Sequence, residues 1–350
     1  MYCDATELHP GFGPRMHRWK RAFEKFGADI ESPSGDGYVL RVSRGESALC
    51  FPSDALPLNS ASGHALARDK LATYQLLERH GVRVPAGVGF FAVLSRERSN
   101  RVERERLITN LEPAVLGALP GLRADPQTRL IVKPSAESHG IGVRLCRGME
   151  EVQAAAAETL KYGRCGLVQE FVEGPEYRVV LLDGEVLLAY CKRNPILKGD
   201  GRSTERELIA DFNRSLGAQS GSLDTGNLPP LEAREWQLDR VPEEGEILEL
   251  GVELQNLCHG SWPELLTAIP DPILEICWRA HRVLGLRYSG IDVRMAPGQP
   301  PTVLEVNGNP GYDFLERTQP ELVGRVIDKL AFEIARVMTG SGVVAGQSQP

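Results

Sequence analysis

The sequence predicts an α+β chain, on three observations. Short apolar runs at "GLVQEFV", "YRVVLL" and "EVLLAYCKR" follow one another across turn signals at Glu173-Gly174-Pro175 and Asp183-Gly184, which is the signature of antiparallel strands. A second pair, "YSGIDVRM" and "TVLEVN", flanks an "APGQPP" turn and reads as a hairpin. Segments with helical spacing precede, separate and follow these strands, rather than alternating with them one for one.

In chain order, "RMHRWKRAFEKFG" reads as a helix stopped by Gly27, followed by strand-like runs at Tyr38 to Val42 and Ala48 to Phe51. "HALARDKLATYQLLERHG" has Leu66, Leu71, Leu76 and Leu77 at helical spacing and Gly81 as its stop, which predicts one continuous helix before Pro85. Residues 95 to 125 are charged, then Leu-rich, and read as helix with loops. The strand "RLIVK" leads into the Gly-containing turn "PSAESHGIGV", and a helix follows over Met149 to Tyr162. After the meander, residues 199 to 213 read as a turn and a helix, and 214 to 245, rich in Gly, Pro and Glu, as a surface loop. Helices over Asp271 to Leu284 and Pro320 to Met338 enclose the hairpin, and residues 341 to 350 read as a flexible tail.

Hydrophobic residues make up 42% and charged residues 25%, as in soluble globular enzymes. A net charge of −7 argues against a broad nucleic-acid-binding surface, although "PRMHRWKR" is locally basic. The N-terminus lacks a signal-peptide pattern and no run of about 18 apolar residues occurs, which predicts a cytoplasmic protein without membrane contact. The 7 cysteines are scattered with no C-x-x-C pair, so buried or idle reduced thiols are expected rather than a zinc or redox site.

"TVLEVNGNP" carries the first chemical signal. Period-two alternation puts Glu305 and Asn307 on one face and Leu304 and Val306 on the other, the latter pair in the core. With the turn centred between Gly298 and Gln299, Asp292 faces Glu305 across the ladder, where two carboxylates repel. Two readings follow: acids solvated at a strand end, or acids that share a divalent cation with Asn307, as hard oxygen ligands suit Mg²⁺. Magnesium held by few protein ligands shares its sphere with phosphates, which calls for a nucleotide site elsewhere. Lys133 at the end of a strand, with Gly140 and Gly142 in the loop beyond, offers a charge and approachable backbone N–H groups; a plain Gly-rich turn is the alternative. In "LVQEFVEGPEYRV", a strand ending in a short linker could present backbone groups to an adenine edge, with Glu176 accepting from a ribose or standing as an exposed acid.

In this order the pieces resemble the ATP-grasp superfamily, specifically its carboxylate–amine ligases. The resemblance rests on "RDK" at 68 to 70, "VKP...HGIGV" at 132 to 143, "VQEFVEGPEYRV" at 168 to 179, "GDGRSTERELI" at 199 to 209 and "SGIDV...LEVNGNPG" at 289 to 311. The pattern looks most like the cyanophycin synthetase and bifunctional glutathione synthetase branch, with a further likeness to ribosomal-protein glutamate ligases. It implies an ATP-grasp fold, with nucleotide held between two α+β lobes. The implied domains are a small N-terminal segment over 1–64, an N-terminal part with the lid over 65–190, and a C-terminal core with the metal site over 191–340.

The implied activity is formation of an amide between a small carboxylate and an amine, amino acids or short peptides, through an acyl phosphate with release of ADP and phosphate. Alternatives are an ATP-grasp phosphotransferase and a nucleotide-binding partner protein without turnover; a homo-oligomer is open. The implied cofactors are ATP and Mg²⁺, with Mn²⁺ as an alternative. By position, Lys133 matches the lysine on ATP phosphates, with Lys70, His139, Gly140, Gly142 and His259 at phosphate or substrate positions. Gln169, Glu170 and Val172 fall at the adenine linker and Glu176 at the ribose. Asp292, Glu305 and Asn307 match the metal ligands, and Arg193 matches a stabiliser of the acyl phosphate. Glu137 departs from the pattern, standing where the lid has an extra glycine.

Overall fold

The computed structural model describes residues 12–33, 37–91, 111–119, 121, 125, 128–138, 140–194, 196–220, 238–249 and 261–338. The chain divides into two compact units, residues 65–308 and, separately, residues 1–64 together with 309–350.

The second of these contains helix α1 (Phe12–Glu24) and a three-stranded antiparallel sheet of β1 (Asp29–Glu31), β2 (Val39–Arg44) and β3 (Ser47–Pro52). As the sequence predicts, Gly27 ends the first helical segment, with a φ of 65° that favours glycine. The long C-terminal helix, Pro320–Met338, belongs to the same unit and buries Val323, Val326, Ile327, Leu330, Ala331 and Ile334 along one stripe. Its Phe332 meets Phe26 at a ring-centroid distance of 5.4 Å, and Asp328 accepts from Lys25 at 2.5 Å.

The larger unit opens with α2 (Ala61–Arg68), which starts in the other unit, and α3 (Lys70–Arg79). The single helix expected over this stretch is two. Asp69 adopts an extended conformation (φ −95°, ψ 100°) and its carboxylate caps α3 by accepting from the backbone N–H groups of Leu71 and Ala72. An acid that satisfies the orphan donors of a new helix start outweighs the leucine periodicity that runs through it. Next come β4 (Gly87–Phe91), α4 (Leu111–Ala118), β5 (Arg129–Pro134), β6 (Arg144–Arg147), α5 (Gly148–Thr159) and β7 (Cys165–Glu170). The four strands form one antiparallel sheet in the order β4-β7-β5-β6. Leu130, Val132 and Val168 face Val152, Ala155 and Ala156 of α5, giving this sheet its own core.

A five-stranded antiparallel sheet follows, built from β8 (Glu176–Leu182), β9 (Glu185–Arg193), β12 (Trp262–Leu265), β13 (Tyr288–Arg294) and β14 (Thr302–Asn307), in the order β12-β9-β8-β13-β14. Between β9 and β12 lie β10 (Ile196–Lys198), α6 (Glu205–Ser220) and β11 (Ile247–Glu249), with β10 and β11 paired as a separate two-stranded sheet. Helix α7 (Asp271–Val283) covers one face of the five-stranded sheet: its Ile273, Ile276, Cys277 and Ala280 pack with Val179, Leu181, Ala189, Ile291, Val293, Val303 and Val306. A short helix α8 (Asp313–Thr318) precedes the C-terminal helix, which is α9 (Pro320–Met338).

The expected three-stranded meander is therefore broken. β7 pairs with β4 and β5, and only β8 and β9 form a hairpin. The break falls at the Glu173-Gly174-Pro175 turn, where Gly174 has a φ of 100° and a Cβ would lie 2.5 Å from the backbone nitrogen of Ala296. Only glycine lets the linker pass that close to the end of β13. Strands β1, β4, β6, β10, β11 and β12 and helix α8 were not legible in the sequence, and α6 runs beyond Asn213 into the stretch read as loop. Among the described residues no helix is long and apolar enough to cross a membrane, and the described cysteines, 50, 146, 165, 191 and 277, are all free.

Candidate active site

The hairpin register is the one the turn predicts: Gly290 pairs with Asn307, Ile291 with Val306 and Asp292 with Glu305. Beyond Asp292 the register shifts, so that Val293 pairs with Val303 and Leu304 is the extra residue of a β-bulge. The bulge overturns one expectation from alternation. Val303, not Leu304, joins Val306 in the core, while Leu304 is half-buried.

On the face opposite α7 the strands carry charge at every second position. Register places Lys192 of β9, Glu176 of β8 and Arg294 of β13 in one row, and Tyr190, Arg178, Asp292 and Glu305 in the next. The side chains follow. Glu176 accepts from Lys192 Nζ and, at 3.2 Å, from Arg294 Nε. Arg178 grips Asp292 with two bonds, Nε to Oδ1 at 2.7 Å and Nη2 to Oδ2 at 2.5 Å, and Lys192 Nζ stands 3.7 Å from Oδ1. Glu305 is met from α3 by Lys70 Nζ at 3.0 Å. Burial would raise the Asp292 carboxyl, but Arg178 and Lys192 outweigh it and hold it below the ordinary carboxylate range. Burial likewise opposes, and Lys70 overcomes, at Glu305, which is also lowered. Both acids are thus kept ionised, each beside its own cation.

The four-stranded sheet contributes Lys133 and Gln169, which share a face because Lys133 pairs with Leu167 and Ile131 with Gln169. Lys133 is buried and donates to Tyr74 Oη at 2.7 Å, with its ammonium also over the Tyr74 ring at 5.1 Å. Burial pushes the Lys133 ammonium down to about 8, against the pull of Glu305, Glu176 and Asp292. The two expected motifs "RDK" and "VKP" meet directly. Ser135 Oγ donates to Asp69 Oδ1 at 2.5 Å, and Lys70 N donates to Ser135 O at 2.9 Å. Lys70 Nζ also donates to the Glu137 carbonyl in the loop beyond Lys133. In that loop Gly140 and Gly142 have φ of 78° and 71°, and a Cβ on Gly142 would lie 2.7 Å from the Pro134 ring.

The linker between the two sheets is held from both sides. Glu170 Oε1 accepts from Ala86 N at 3.0 Å, Val172 O accepts from Arg294 Nη1 at 2.9 Å, and the guanidinium groups of Arg129 and Arg294 lie over the Phe171 ring at 4.4 and 5.0 Å. Two buried side-chain atoms in this neighbourhood have no hydrogen-bond partner: Gln169 Oε1 and Asn307 Nδ2. A polar ligand would satisfy them.

Lys70, Lys133, Glu176, Asp292 and Glu305 are brought together as the motifs suggest; Arg193 is not. It lies on the other face of β9 from Lys192, exposed and paired with Glu264 through Nε at 2.6 Å. His139 and His259 lie outside the described residues. Sequence reasoning missed Tyr74, Arg178, Lys192 and Arg294. The signal was present: "EYR", "YCK" and "DVR" each place polar residues two apart in otherwise apolar strands, as "EVN" does. "GDGRST" has a local role in this structure. Asp200 accepts from the N–H groups of Arg202 and Ser203, and Thr204 and Glu207 form a capping box at the start of α6.

As to metal, no three Asp, Glu, His or Cys converge among the described residues. Two ionised carboxylates and the amide oxygen of Asn307 at adjacent register positions nonetheless fit a hard divalent cation that completes its sphere with phosphate oxygens, and the unpartnered Asn307 Nδ2 is a donor that suits such an oxygen.

The larger unit thus combines two antiparallel sheets, a lysine strand with a glycine loop, and opposed acids on a hairpin, and residues 67–206 match the ATP-grasp domain family. Among curated proteins the chain is similar to the cyanophycin synthetase of Trichormus variabilis, 27% identical over 268 residues that make up 71% of this chain and 27% of the relative. It is also similar to the glutathione biosynthesis bifunctional protein GshAB of Listeria innocua, 24% identical over 77% of this chain and 34% of the relative. The chain thus spans only about a third or less of the length of these relatives. Among solved structures, a bifunctional glutathione synthetase from Pasteurella multocida aligns with a TM-score of 0.53 at 17% identity, over 90% of this chain and 44% of that chain, a likeness of fold.

Proposed function

We propose that the protein is an ATP-dependent ligase that joins a small carboxylate, an amino acid or short peptide, to an amine. One observation carries the reading. A single cluster holds Lys133 of one sheet, tied through Tyr74 to the strand of the other that bears Glu305, and the Asp292–Glu305 pair. The cations Lys70, Lys133, Arg178, Lys192 and Arg294 outnumber the acids Glu176, Asp292 and Glu305, leaving a positive site suited to a polyphosphate. Asp292, Glu305 and Asn307 would hold Mg²⁺, or Mn²⁺ in its place, which when bound neutralises phosphate charge.

In this reading the substrate carboxylate attacks the γ-phosphoryl group and ADP leaves. The amine then attacks the acyl carbon, releasing phosphate and a proton and forming the amide. Lys133 places its ammonium on the phosphates, and the buried face around it excludes water from the acyl phosphate. Glu176, buried between Lys192 and Arg294, would accept from the ribose hydroxyls of the nucleotide. Lys192, rather than Arg193, is the cation beside Asp292, and it takes the role of steadying the transferred group.

The test is ADP and phosphate release with amino acids and short peptides as acid and amine, with hydroxylamine as a trap. A hydroxamate supports the acyl phosphate; AMP and pyrophosphate would overturn it. ADP release that ignores the amine would make the protein a phosphotransferase, and ATP binding without turnover on any acid would make it a nucleotide-binding module.

A further inference from the structure

We propose that Tyr74 is a positioning residue, which holds Lys133 and fixes it to the bulge of β14. Its hydroxyl is fully used: it accepts from Lys133 Nζ at 2.7 Å and from the Gln169 side chain, and it donates to the Leu304 carbonyl. Leu304 is the bulged residue, between the register positions of Glu305 and Val303. A bulge leaves its extra residue outside the regular ladder, and the Tyr74 hydroxyl supplies the hydrogen bond its carbonyl receives. One oxygen therefore joins β5 and β7 of one sheet to β14 of the other.

The helix makes the arrangement rigid. Lys70 and Tyr74 are four residues apart on α3 and project from one face, the lysine to Glu305 and the tyrosine to Leu304 and Lys133. Capping by Asp69, itself bonded to Ser135 two residues beyond Lys133, sets the height of that face relative to β5. Tyr74 is buried, and burial, with Glu305 adding to it, raises its hydroxyl well above the ordinary tyrosine range. It remains a neutral donor and acceptor wherever the protein is folded near neutral pH. Phenylalanine keeps the ring and its shape but removes all three bonds.

The nucleotide arm of the test rests on the ATP reading above; the first arm does not. In ligand-free protein, NMR of the lysine side chains should show a Lys133 ammonium in slow exchange, with a cross-peak to the Tyr74 ring, and Tyr74→Phe should abolish the slow exchange. Absence of that cross-peak in the wild type, which needs no variant to fold, would overturn the proposal. In the second arm, calorimetry with ATP and magnesium should give a roughly tenfold weaker affinity for Tyr74→Phe, with adenosine binding unchanged. On a Lys133→Ala background the same change should cost less than about twofold, because Tyr74 acts through Lys133. Equal losses on both backgrounds would make Tyr74 merely structural. Wild-type protein that bound no ATP would sink the ligase reading, while the ligand-free spectrum still decided the role of Tyr74.

Discussion

Two charge-rich regions of the larger unit invite comparison. The first is the buried checkerboard of Glu176, Arg178, Lys192, Asp292 and Arg294, with the half-buried Glu305 at its edge. The second is the exposed group beside β10 and β11, where Arg206 pairs with Asp239 at 3.3 Å, Asp200 caps its own turn, and Thr204 pairs with Glu207. By hydrogen-bond count the two are alike. Water separates them. In the exposed group solvent screens each pair and can replace a lost partner, so the bonds shape a turn and add little energy. In the buried sheet a charge whose partner is lost has nothing to replace it.

The largest effect is expected on turnover. Lys133→Ala should lower ATP-dependent phosphate release on the order of 10²-fold or more, if its ammonium stabilises the transferring group as proposed. Unchanged release would remove the buried cluster from the chemistry.

Next is Arg178→Ala, which strands the buried Asp292 with only Lys192, 3.7 Å away. Loss of one partner of a buried pair costs ~3–5 kcal/mol, readable as a lower midpoint in urea. Asp292→Asn on that background should recover part of the loss, and failure to recover would mean that Arg178 acts through packing.

Glu305→Gln should behave differently from what two opposed acids alone would suggest. Relief of repulsion would raise the metal-free melting temperature, but Lys70 already neutralises Glu305 and would lose its partner. Glu305 is half-buried, and the buried Lys70 keeps the Glu137 carbonyl and the amide oxygen of the new glutamine as acceptors, so the net change should be a fall of less than ~1 kcal/mol, while magnesium-dependent ATP binding is lost. A chain that unfolds yet keeps turnover per folded molecule would make Glu305 structural.

A smaller effect concerns pH. With the Lys133 ammonium pushed down to about 8 by burial, the ligand-free protein releases that proton as pH rises past 8. The unfolded chain keeps it up to ~10.4, so in that window this group's contribution to stability becomes more favourable as pH rises. ATP bound above pH 8 should draw a proton back onto Lys133, seen as a binding heat that changes with the ionisation enthalpy of the buffer. The smallest effect is Arg206→Ala, at the solvated Arg206–Asp239 pair, which should leave turnover and melting temperature near wild-type values. A large loss there would erase the contrast between the two regions.

What the sequence determined by itself is what depends on short separations along the chain. Alternation put Asp292 opposite Glu305 once the "APGQPP" turn was centred, and helical spacing marked Pro320–Met338, because local geometry alone fixes both. The motifs for Lys70, Lys133 and the hairpin acids were legible for the same reason.

The tertiary structure decided what depends on partners far apart in sequence. β7 reads like the first strand of a meander but joins the other sheet, because the close pass of Gly174 against Ala296 turns the chain out of the hairpin. The bulge at Leu304 exchanged which residue of β14 faces the core, and it is matched by Tyr74, which comes 230 residues away in the chain. Lys192 rather than Arg193 entered the site because β9 turns that face toward Glu176 and Asp292. No local pattern states which cation neutralises which acid. That pairing is set by the desolvation of the assembled sheet, which makes an unpartnered charge too costly to keep.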